Sequence, residues 1–234
     1  MTLATGTPPN RRLLLVQMGD PPDDIAGPLG NQPAWFVAAL GDSDRPVQVV
    51  RPFLGDTLPD AADFHATVIT GSWSMVTDRE DWSERTGAWL REVIVTGHRV
   101  LGVCYGHQLM ADVMGGTVDY HPDGAEVGVK TVTLSAAAAD DALFAGFATQ
   151  FTAPLSHSQS VLVPPPGAVV LGASSHDACQ ILRYGPNAVS VQFHPEFTPA
   201  LMQACTDRRA SHADSAAPPD TPTARDVLRR FIGA

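Results

Sequence analysis

Short apolar runs alternate with amphipathic segments along the first half of the chain. The segments 33–40 and 81–96 carry apolar residues at helical spacing, and we assign the stripe in the second of them to the core. Between the two helices lie runs with the length and composition of buried strands, at positions 12–18, 47–51, 65–70 and 99–104. Strands that alternate with helices in this way predict parallel pairing in one sheet.

The second half of the chain has a different pattern, in which strand-like runs follow one another across turn residues such as Gly185-Pro186-Asn187. The predicted strands are 126–134, 168–173, 178–184 and 188–193. A short helix is expected at 140–146 and a closing helix at 225–232. The chain is therefore predicted to be an α/β protein with an open, mostly parallel sheet, helices on both faces and an antiparallel extension.

A candidate nucleophile stands where the fourth predicted strand meets a helix. The segment 99–108 reads RVLGVCYGHQ, which places Cys104 between Gly102 and Gly106 on a tight strand-to-helix turn. The amides at the start of the following helix, about 107–114, favour the thiolate over the thiol. The alternative is a buried structural cysteine, the usual role of a lone cysteine in an apolar segment.

A candidate base stands at the end of the last predicted strand. There, His194 and Glu196 flank Pro195, and residues two apart in an extended chain project to the same side, so the carboxylate can reach the imidazole. The proline keeps this segment out of a helix. His194 is expected to accept the proton of Cys104 while Glu196 orients the ring, although an ordinary strand end with a surface histidine and glutamate has the same local pattern.

Two loops complete a recognisable set of motifs. The segment 70–76 reads TGSWSMV and the segment 155–161 reads LSHSQSV. Together with GVCYGHQ and VQFHPEF, whose histidine follows Cys104 by 90 positions, they resemble the class I glutamine amidotransferases, in particular the glutaminase domain of GMP synthases. The resemblance spans about residues 12–205 and implies a flavodoxin-like fold.

The resemblance also implies roles for individual residues. It suggests a catalytic triad of Cys104, His194 and Glu196, and an oxyanion hole made by the backbone N–H groups of Ser72 and Tyr105. The expected contacts to a glutamine or γ-glutamyl substrate are Gly71, Ser72, Ser74, Gln108, Ser156 and His157. Neither a metal nor an organic cofactor is expected, and Cys179 and Cys205 are assigned structural roles.

The sequence departs from the family pattern at two places. Trp73 stands where proline is common in the oxyanion loop, and Ser158 and Gln159 stand where glycine and aspartate often occur. These positions would lie near the leaving group, so they leave open a γ-glutamyl peptide or γ-glutamyl amine hydrolase with the same triad. A catalytically inactive binding module is a third alternative, disfavoured by the complete cysteine, histidine and glutamate set.

Composition and charge narrow the class of partner. The chain has 234 residues and a net charge of −10, with no basic patch in the sequence, which argues against a nucleic-acid partner. Its apolar runs are far shorter than the ~20 residues of a membrane span, so no membrane partner is expected. Three cysteines without metal spacing and the lack of a secretory signal predict a cytoplasmic protein.

Domain organisation follows from length and from the distribution of motifs. The whole chain, 1–234, is predicted to be one domain, with a flexible N-terminus at 1–11 and a mobile surface segment at 208–224 that could alternatively act as a lid or docking segment. No G-x-x-x-x-G-K-[ST] loop is present. Any synthetase that accepts ammonia must therefore be a separate polypeptide.

Overall fold

The computed structural model describes residues 12–41, 43–209 and 217–233. Its strands are β1 (Leu13–Val16), β2 (Val47–Val50), β3 (Ala66–Ile69), β4 (Val100–Val103), β5 (Thr117–Tyr120), β6 (Glu126–Leu134), β7 (Gln150–His157), β8 (Gln159–Val163), β9 (Val169–Ala173), β10 (Ile181–Gly185) and β11 (Ala188–Val191). Its helices are α1 (Asp23–Leu29), α2 (Gln32–Leu40), α3 (Asp81–Val95), α4 (Tyr105–Val113), α5 (Pro199–Arg209) and α6 (Pro222–Ile232).

One large sheet organises the molecule, in the order β2-β1-β3-β4-β11-β10-β9-β6-β7. The first five strands of this order are parallel, and β10, β9, β6 and β7 continue the sheet by antiparallel pairing. Strands β5 and β8 form a separate antiparallel pair. The predicted α/β fold class, a flavodoxin-like sheet with an antiparallel extension, is confirmed.

Helices cover both faces of the sheet because the central strands are apolar on both sides. On β1, Leu13 and Leu15 face one cluster, which includes side chains of α2 and α6. Leu14 and Val16 face the opposite cluster, which includes side chains of α3 and α4. This uninterrupted apolar character is typical of buried parallel strands and makes β1 recognisable in the sequence.

The parallel strands position the candidate site. β4 and β11 are hydrogen-bonded neighbours, with Val103 opposite Val191, so Cys104 and the segment that leads to His194 leave the sheet at the same edge. β3 lies on the other side of β4 and delivers the loop that begins at Thr70 to that edge. Ligands of open α/β sheets bind at this carboxyl edge.

The sequence prediction was wrong for the helix expected at 140–146. The chain instead forms a 3-10 helix at Ala136–Asp140 and then a series of turns. The Asp141 carboxylate accepts hydrogen bonds from the Leu143 N–H and from the Arg183 guanidinium, and such side-chain bonding competes with a regular helix. The elements α1, β5, β7, β8 and α5 were not predicted.

The two expected mobile segments fall largely outside the described part of the chain. Residues 1–11 and 210–216 are not described, whereas 208–209 end α5 and 222–224 begin α6. In the described ranges, no helix combines the length and the apolar character needed to cross a membrane.

Candidate active site

Cys104 occupies a strained turn between β4 and α4. Its backbone has φ 51° and ψ −100°, a conformation that residues other than glycine rarely adopt. The turn is held on the sheet side by a hydrogen bond from the Cys104 N–H to the Val191 carbonyl. The strain presents the sulfur at the N-terminus of α4, where the helix dipole favours a thiolate.

The two flanking glycines are needed for close approach. A Cβ atom on Gly102 would lie 2.6 Å from both the Gly106 carbonyl oxygen and the Met110 sulfur. A Cβ atom on Gly106 would lie 2.7 Å from the Ile69 carbonyl oxygen. Helix α4 can therefore pack directly onto β3 and β4 only because these two positions lack side chains.

The structure brings His194 and Glu196 to the same edge as Cys104. The His194 Nδ1 lies 2.7 Å from Glu196 Oε1, and both side chains are almost fully buried. His194 is also hydrogen-bonded to Cys104. Because a carboxylate only accepts, Nδ1 carries a proton, which leaves Nε2 to exchange a proton with the sulfur.

The electrostatics of this group favour a cysteine and histidine ion pair. Burial lowers the pKa of His194, but the negative charges of Glu196 and Cys104 and hydrogen bonds to both outweigh it and raise the pKa. Phe197 stacks on the imidazole with ring centroids 4.0 Å apart, which excludes water from one face of the ring. The arrangement can hold a proton on the imidazole beside a thiolate.

The loop after β3 is pre-organised by Thr70. Its hydroxyl accepts from the Met18 N–H and donates to the Gly71 carbonyl at 2.8 Å. Because the carbonyl and the N–H of one trans peptide point in opposite directions, this bond turns the Ser72 N–H away from Thr70. That N–H has no partner among the described residues, while the Ser72 hydroxyl accepts from the Ser74 N–H.

Tyr105 contributes only its backbone to this edge. Its side chain is buried on the far side of α4, where it stacks on Trp82 at 5.8 Å and shares a 2.6 Å hydrogen bond with Ser83. Its backbone N–H directly follows Cys104 and has no partner within the described ranges. The two N–H groups predicted to bind an oxyanion are therefore both unpaired.

A pocket opens between the loop after β3, α4, the β7–β8 turn and α5. The sequence-predicted side chains and loop residues that line it are Gly71, Ser72, Ser74, Cys104, Gln108, Ser156, His157, His194 and Glu196. Gly71 lies against the reacting groups, since a Cβ atom there would be 3.1 Å from the His194 ring and 3.5 Å from the Cys104 Cβ. Tyr105 is the one predicted residue whose side chain the structure keeps out of the pocket.

Gln108 and His157 are tied into the protein more fully than the sequence suggested. The Gln108 amide donates to the Gln159 carbonyl at 2.6 Å and to Gln192, so only its carbonyl oxygen is left to contact a substrate. His157 has an acceptor on each ring nitrogen, the Gln159 carbonyl at 2.9 Å and Glu126 at 3.1 Å. Burial raises the pKa of Glu126, but bonding to His157 outweighs it and the pKa is lowered, which indicates a buried ion pair behind the pocket wall.

Sequence reasoning missed an aromatic wall on the α2 side of the pocket. Trp35 meets Trp73 edge to face at 6.4 Å and Phe197 edge to face at 6.1 Å. Only Trp73 had been singled out. Trp35 lies in an ordinary apolar helix pattern, so no signal in the sequence identified it as a wall residue.

The opposite side of the pocket carries a cation that also escaped prediction. Arg209, at the end of α5, lines the pocket and donates to the Ser158 hydroxyl at 2.9 Å. It has no carboxylate within salt-bridge distance among the residues described. Cys205 lines the pocket one turn earlier, so its assignment as purely structural was incomplete.

The other thiols are chemically distinct from Cys104. Burial raises the pKa of Cys179 to about 11 and that of Cys205 to about 12, so both are neutral thiols near pH 7. Within the described ranges, no three histidine, cysteine, aspartate or glutamate side chains are grouped so as to hold a metal ion.

Comparison with known proteins agrees with this geometry. The family model of glutamine amidotransferase class I matches residues 37–206. Gamma-glutamyl peptidase 5 of Arabidopsis thaliana is 26% identical over 182 residues, covering 74% of this chain and 70% of that protein. A subunit of the glutamine-hydrolysing GMP synthase of Saccharolobus solfataricus is 30% identical over 151 residues, covering 64% of this chain and 76% of that protein.

Solved structures show the same fold. A glutamine amidotransferase from Thermotoga maritima superposes with a TM-score of 0.72 at 17% identity, covering 96% of this chain and 100% of that chain. A glutamine amidotransferase from Methylobacillus flagellatus superposes with a TM-score of 0.71 at 23% identity, covering 95% of this chain and 91% of that chain. The family match extends over most of the chain, and the chain therefore belongs to the class I glutamine amidotransferase family.

Proposed function

We propose that the chain is a cysteine hydrolase that cleaves the γ-amide of L-glutamine through a γ-glutamyl thioester. The observation that carries the proposal is the buried hydrogen-bonded series of Cys104, His194 and Glu196 at the carboxyl ends of two adjacent parallel strands. Nucleophile, base and orienting carboxylate stand in the order that acyl transfer requires.

The first half of the reaction forms the thioester. His194 Nε2 takes the proton of Cys104, and the thiolate attacks the amide carbon to give a tetrahedral oxyanion. The N–H groups of Ser72 and Tyr105 donate to that oxyanion, and such donors contribute on the order of 3 kcal/mol each. His194 then gives its proton to the departing nitrogen, and ammonia leaves.

The second half releases glutamate. His194, now neutral, takes a proton from water, which attacks the thioester carbonyl through a second oxyanion in the same hole. The Cys104 thiolate is the leaving group, and it shares the proton of His194 again. Glu196 stabilises the imidazolium in both halves, and the Gln108 carbonyl oxygen and Ser156 bind the glutamine amino and carboxylate ends.

Ammonia produced at this site needs an acceptor if it is not to be lost. Relatives from Saccharolobus solfataricus and Sulfurisphaera tokodaii are named as single subunits of a glutamine-hydrolysing GMP synthase, which favours a separate synthetase as the partner of this chain as well. We place no metal or organic cofactor in the reaction. The cytoplasmic location expected from the cysteine content stays a prediction.

A second candidate is hydrolysis of γ-glutamyl peptides or γ-glutamyl amines by the same three residues. The aromatic wall of Trp35, Trp73 and Phe197 and the unpaired Arg209 line more of the pocket than ammonia would need. Relatives from Arabidopsis thaliana are named γ-glutamyl peptidases. An inactive binding module, the third alternative, would not need the ordered proton-transfer geometry.

A substrate panel separates these candidates. Purified chain is incubated with glutamine, γ-glutamyl dipeptides and γ-glutamyl amines, and glutamate and the leaving amine are measured, with Cys104→Ser as the control. Glutamine turnover that rises with a synthetase supports the amidotransferase, and a higher kcat/KM for a dipeptide or amine supports the second candidate. No turnover and no thioester with any compound would leave the binding module.

A further inference from the structure

Another pocket lies at the end of the sheet opposite Cys104. Arg99 directly precedes β4 and Asn187 directly precedes β11, the two strands that Cys104 and His194 follow. At ~3.3 Å per residue, Arg99 is roughly 16 Å from Cys104 along β4. The pocket has a volume of about 220 Å³, and its remaining lining is Ala142, Leu143, Arg183, Pro186, Arg230 and Phe231.

Three guanidinium groups line this pocket, and one carboxylate neutralises one of them. Arg183 forms a bidentate pair with Asp141, at 2.8 and 2.7 Å. Arg99 and Arg230 have no carboxylate within 4.0 Å in the part of the chain that the structure describes. The arginine pocket, defined by Arg99, Arg183 and Arg230, therefore keeps two uncompensated positive charges in a chain whose net charge is −10.

A purely structural role does not use these charges fully. Arg99 donates to the Phe231 carbonyl at the end of α6, and Arg230 donates to the Leu143 and Ala145 carbonyls. A helix C-terminus offers only about half a negative charge. Each guanidinium has five N–H donors, and only one nitrogen of each is engaged, so most donors remain for a ligand.

The local field has the sign that an anion requires. Burial lowers the pKa of Arg99, and the neighbouring positive charges of Arg45 and Arg183 lower it further. These arginines therefore repel one another. An anion placed between them would relieve that repulsion.

We propose that the arginine pocket binds a phosphate dianion, either inorganic phosphate or the phosphate group of a small phosphate monoester. Two uncompensated guanidinium charges balance the roughly −2 charge of phosphate near pH 7. The guanidinium fork matches phosphate oxygens in bidentate geometry. At ~30 Å³ per liquid water, the pocket volume exceeds that of several waters, so a phosphate group fits with its oxygens on the arginines.

Calorimetric titration of the full chain tests the site directly. Inorganic phosphate and glycerol 3-phosphate are titrated separately at matched ionic strength, with chloride as the blank. Saturable binding of either is expected, and Arg230→Gln should raise the Kd at least about tenfold because a charge-assisted contact is lost. Arg85→Gln, which removes an exposed arginine from the middle of α3, is the matched control and should leave the Kd unchanged.

A second measurement avoids variants altogether. Phenylglyoxal modifies accessible arginines, and mass spectrometry of the wild-type chain should show Arg99 and Arg230 protected by the bound phosphate compound while Arg85 is not. Tighter binding of the monoester would identify a phosphorylated small molecule as the ligand, and equal or tighter binding of phosphate would identify the free ion. A Kd above about 10 mM for both compounds, or binding with neither arginine protected, overturns the proposal.

Discussion

Gly102→Ala tests whether the close approach of α4 to β4 sets the position of Cys104. The new methyl group would lie 2.6 Å from the Gly106 carbonyl oxygen, which must move by about 0.8 Å to reach the 3.4 Å of ordinary contact. The Met110 sulfur can swing aside, but Gly106 is backbone in the first turn of α4 and moves only with the helix. The displaced turn begins directly after Cys104 and carries the Tyr105 N–H.

The expected losses follow from this displacement. Overpacking of a core costs about 1–3 kcal/mol, which thermal or urea unfolding will detect. Misplacement of reacting groups by about 1 Å costs roughly 100-fold in rate, so kcat/KM for the best γ-glutamyl substrate should fall between about tenfold and 100-fold. The assay is initial-rate release of glutamate at saturating and limiting substrate.

Gly185→Ala is the matched control. Gly185 is also a strand glycine, but a Cβ atom there would meet nothing within 4 Å. Its stability and kcat/KM should stay close to those of the wild type. A Gly102→Ala variant with wild-type stability and wild-type kcat/KM would refute the conclusion that this contact positions the nucleophile.

Four further predictions address the chemistry and the charges. A glutamine-like electrophile should label Cys104 before the other two thiols, because burial raises the pKa of each of those, and Cys104→Ser should abolish turnover without loss of fold. His194→Ala should lose several orders of magnitude in kcat, and Glu196→Gln should lose less because the imidazole remains. Trp73→Ala should reduce any preference for γ-glutamyl peptides over glutamine roughly tenfold, the ~1.4 kcal/mol of one apolar contact. His107 is fully buried, and desolvation is the main cause that lowers its pKa to about 3. Its folded pKa lies below the unfolded value, so the unfolded chain takes up the proton first and stability should fall as pH drops from about 6.5 towards 3; His107→Asn should flatten that slope in urea unfolding.

Each of these predictions has a result that contradicts it. First labelling of a thiol other than Cys104, or full activity of Cys104→Ala, would remove the nucleophile assignment. A silent Glu196→Gln variant would mean that another group orients His194. An unchanged substrate preference in Trp73→Ala would place the leaving group elsewhere, and an unchanged pH slope in His107→Asn would mean that this ring is protonated in the folded chain.

Local sequence patterns were sufficient where the relevant contacts are close along the chain. The strand at 13–16 is apolar on both faces, and Cys104 has its glycines two positions to either side. His194 and Glu196 are two residues apart, and the structure joins them by one hydrogen bond. Such features need only local geometry, so their spacing identified both the fold class and the candidate triad.

Patterns failed where one side chain could satisfy the backbone in two ways. The acidic start of 140–146 resembles a helix N-terminus, but Asp141 bonds to Arg183 on a strand forty-two positions later. Strand β7 contains Pro154 and alternating polar residues, and it is stabilised by its pairing with β6 along its whole length. Neither outcome follows from local propensity, because each depends on a partner distant in sequence.

The sequence by itself thus determined the fold class and which residues could carry out acyl transfer, because strand and helix periodicity and the spacing of reactive groups are local properties. Only the tertiary structure decided what surrounds them. It directs the Tyr105 side chain away from the pocket, places Trp35 and Arg209 in its walls, and gathers three arginines at the opposite end of the sheet. These neighbours come from segments far apart in the chain, and folding brings them together through the pairing of strands and the packing of helices on the sheet.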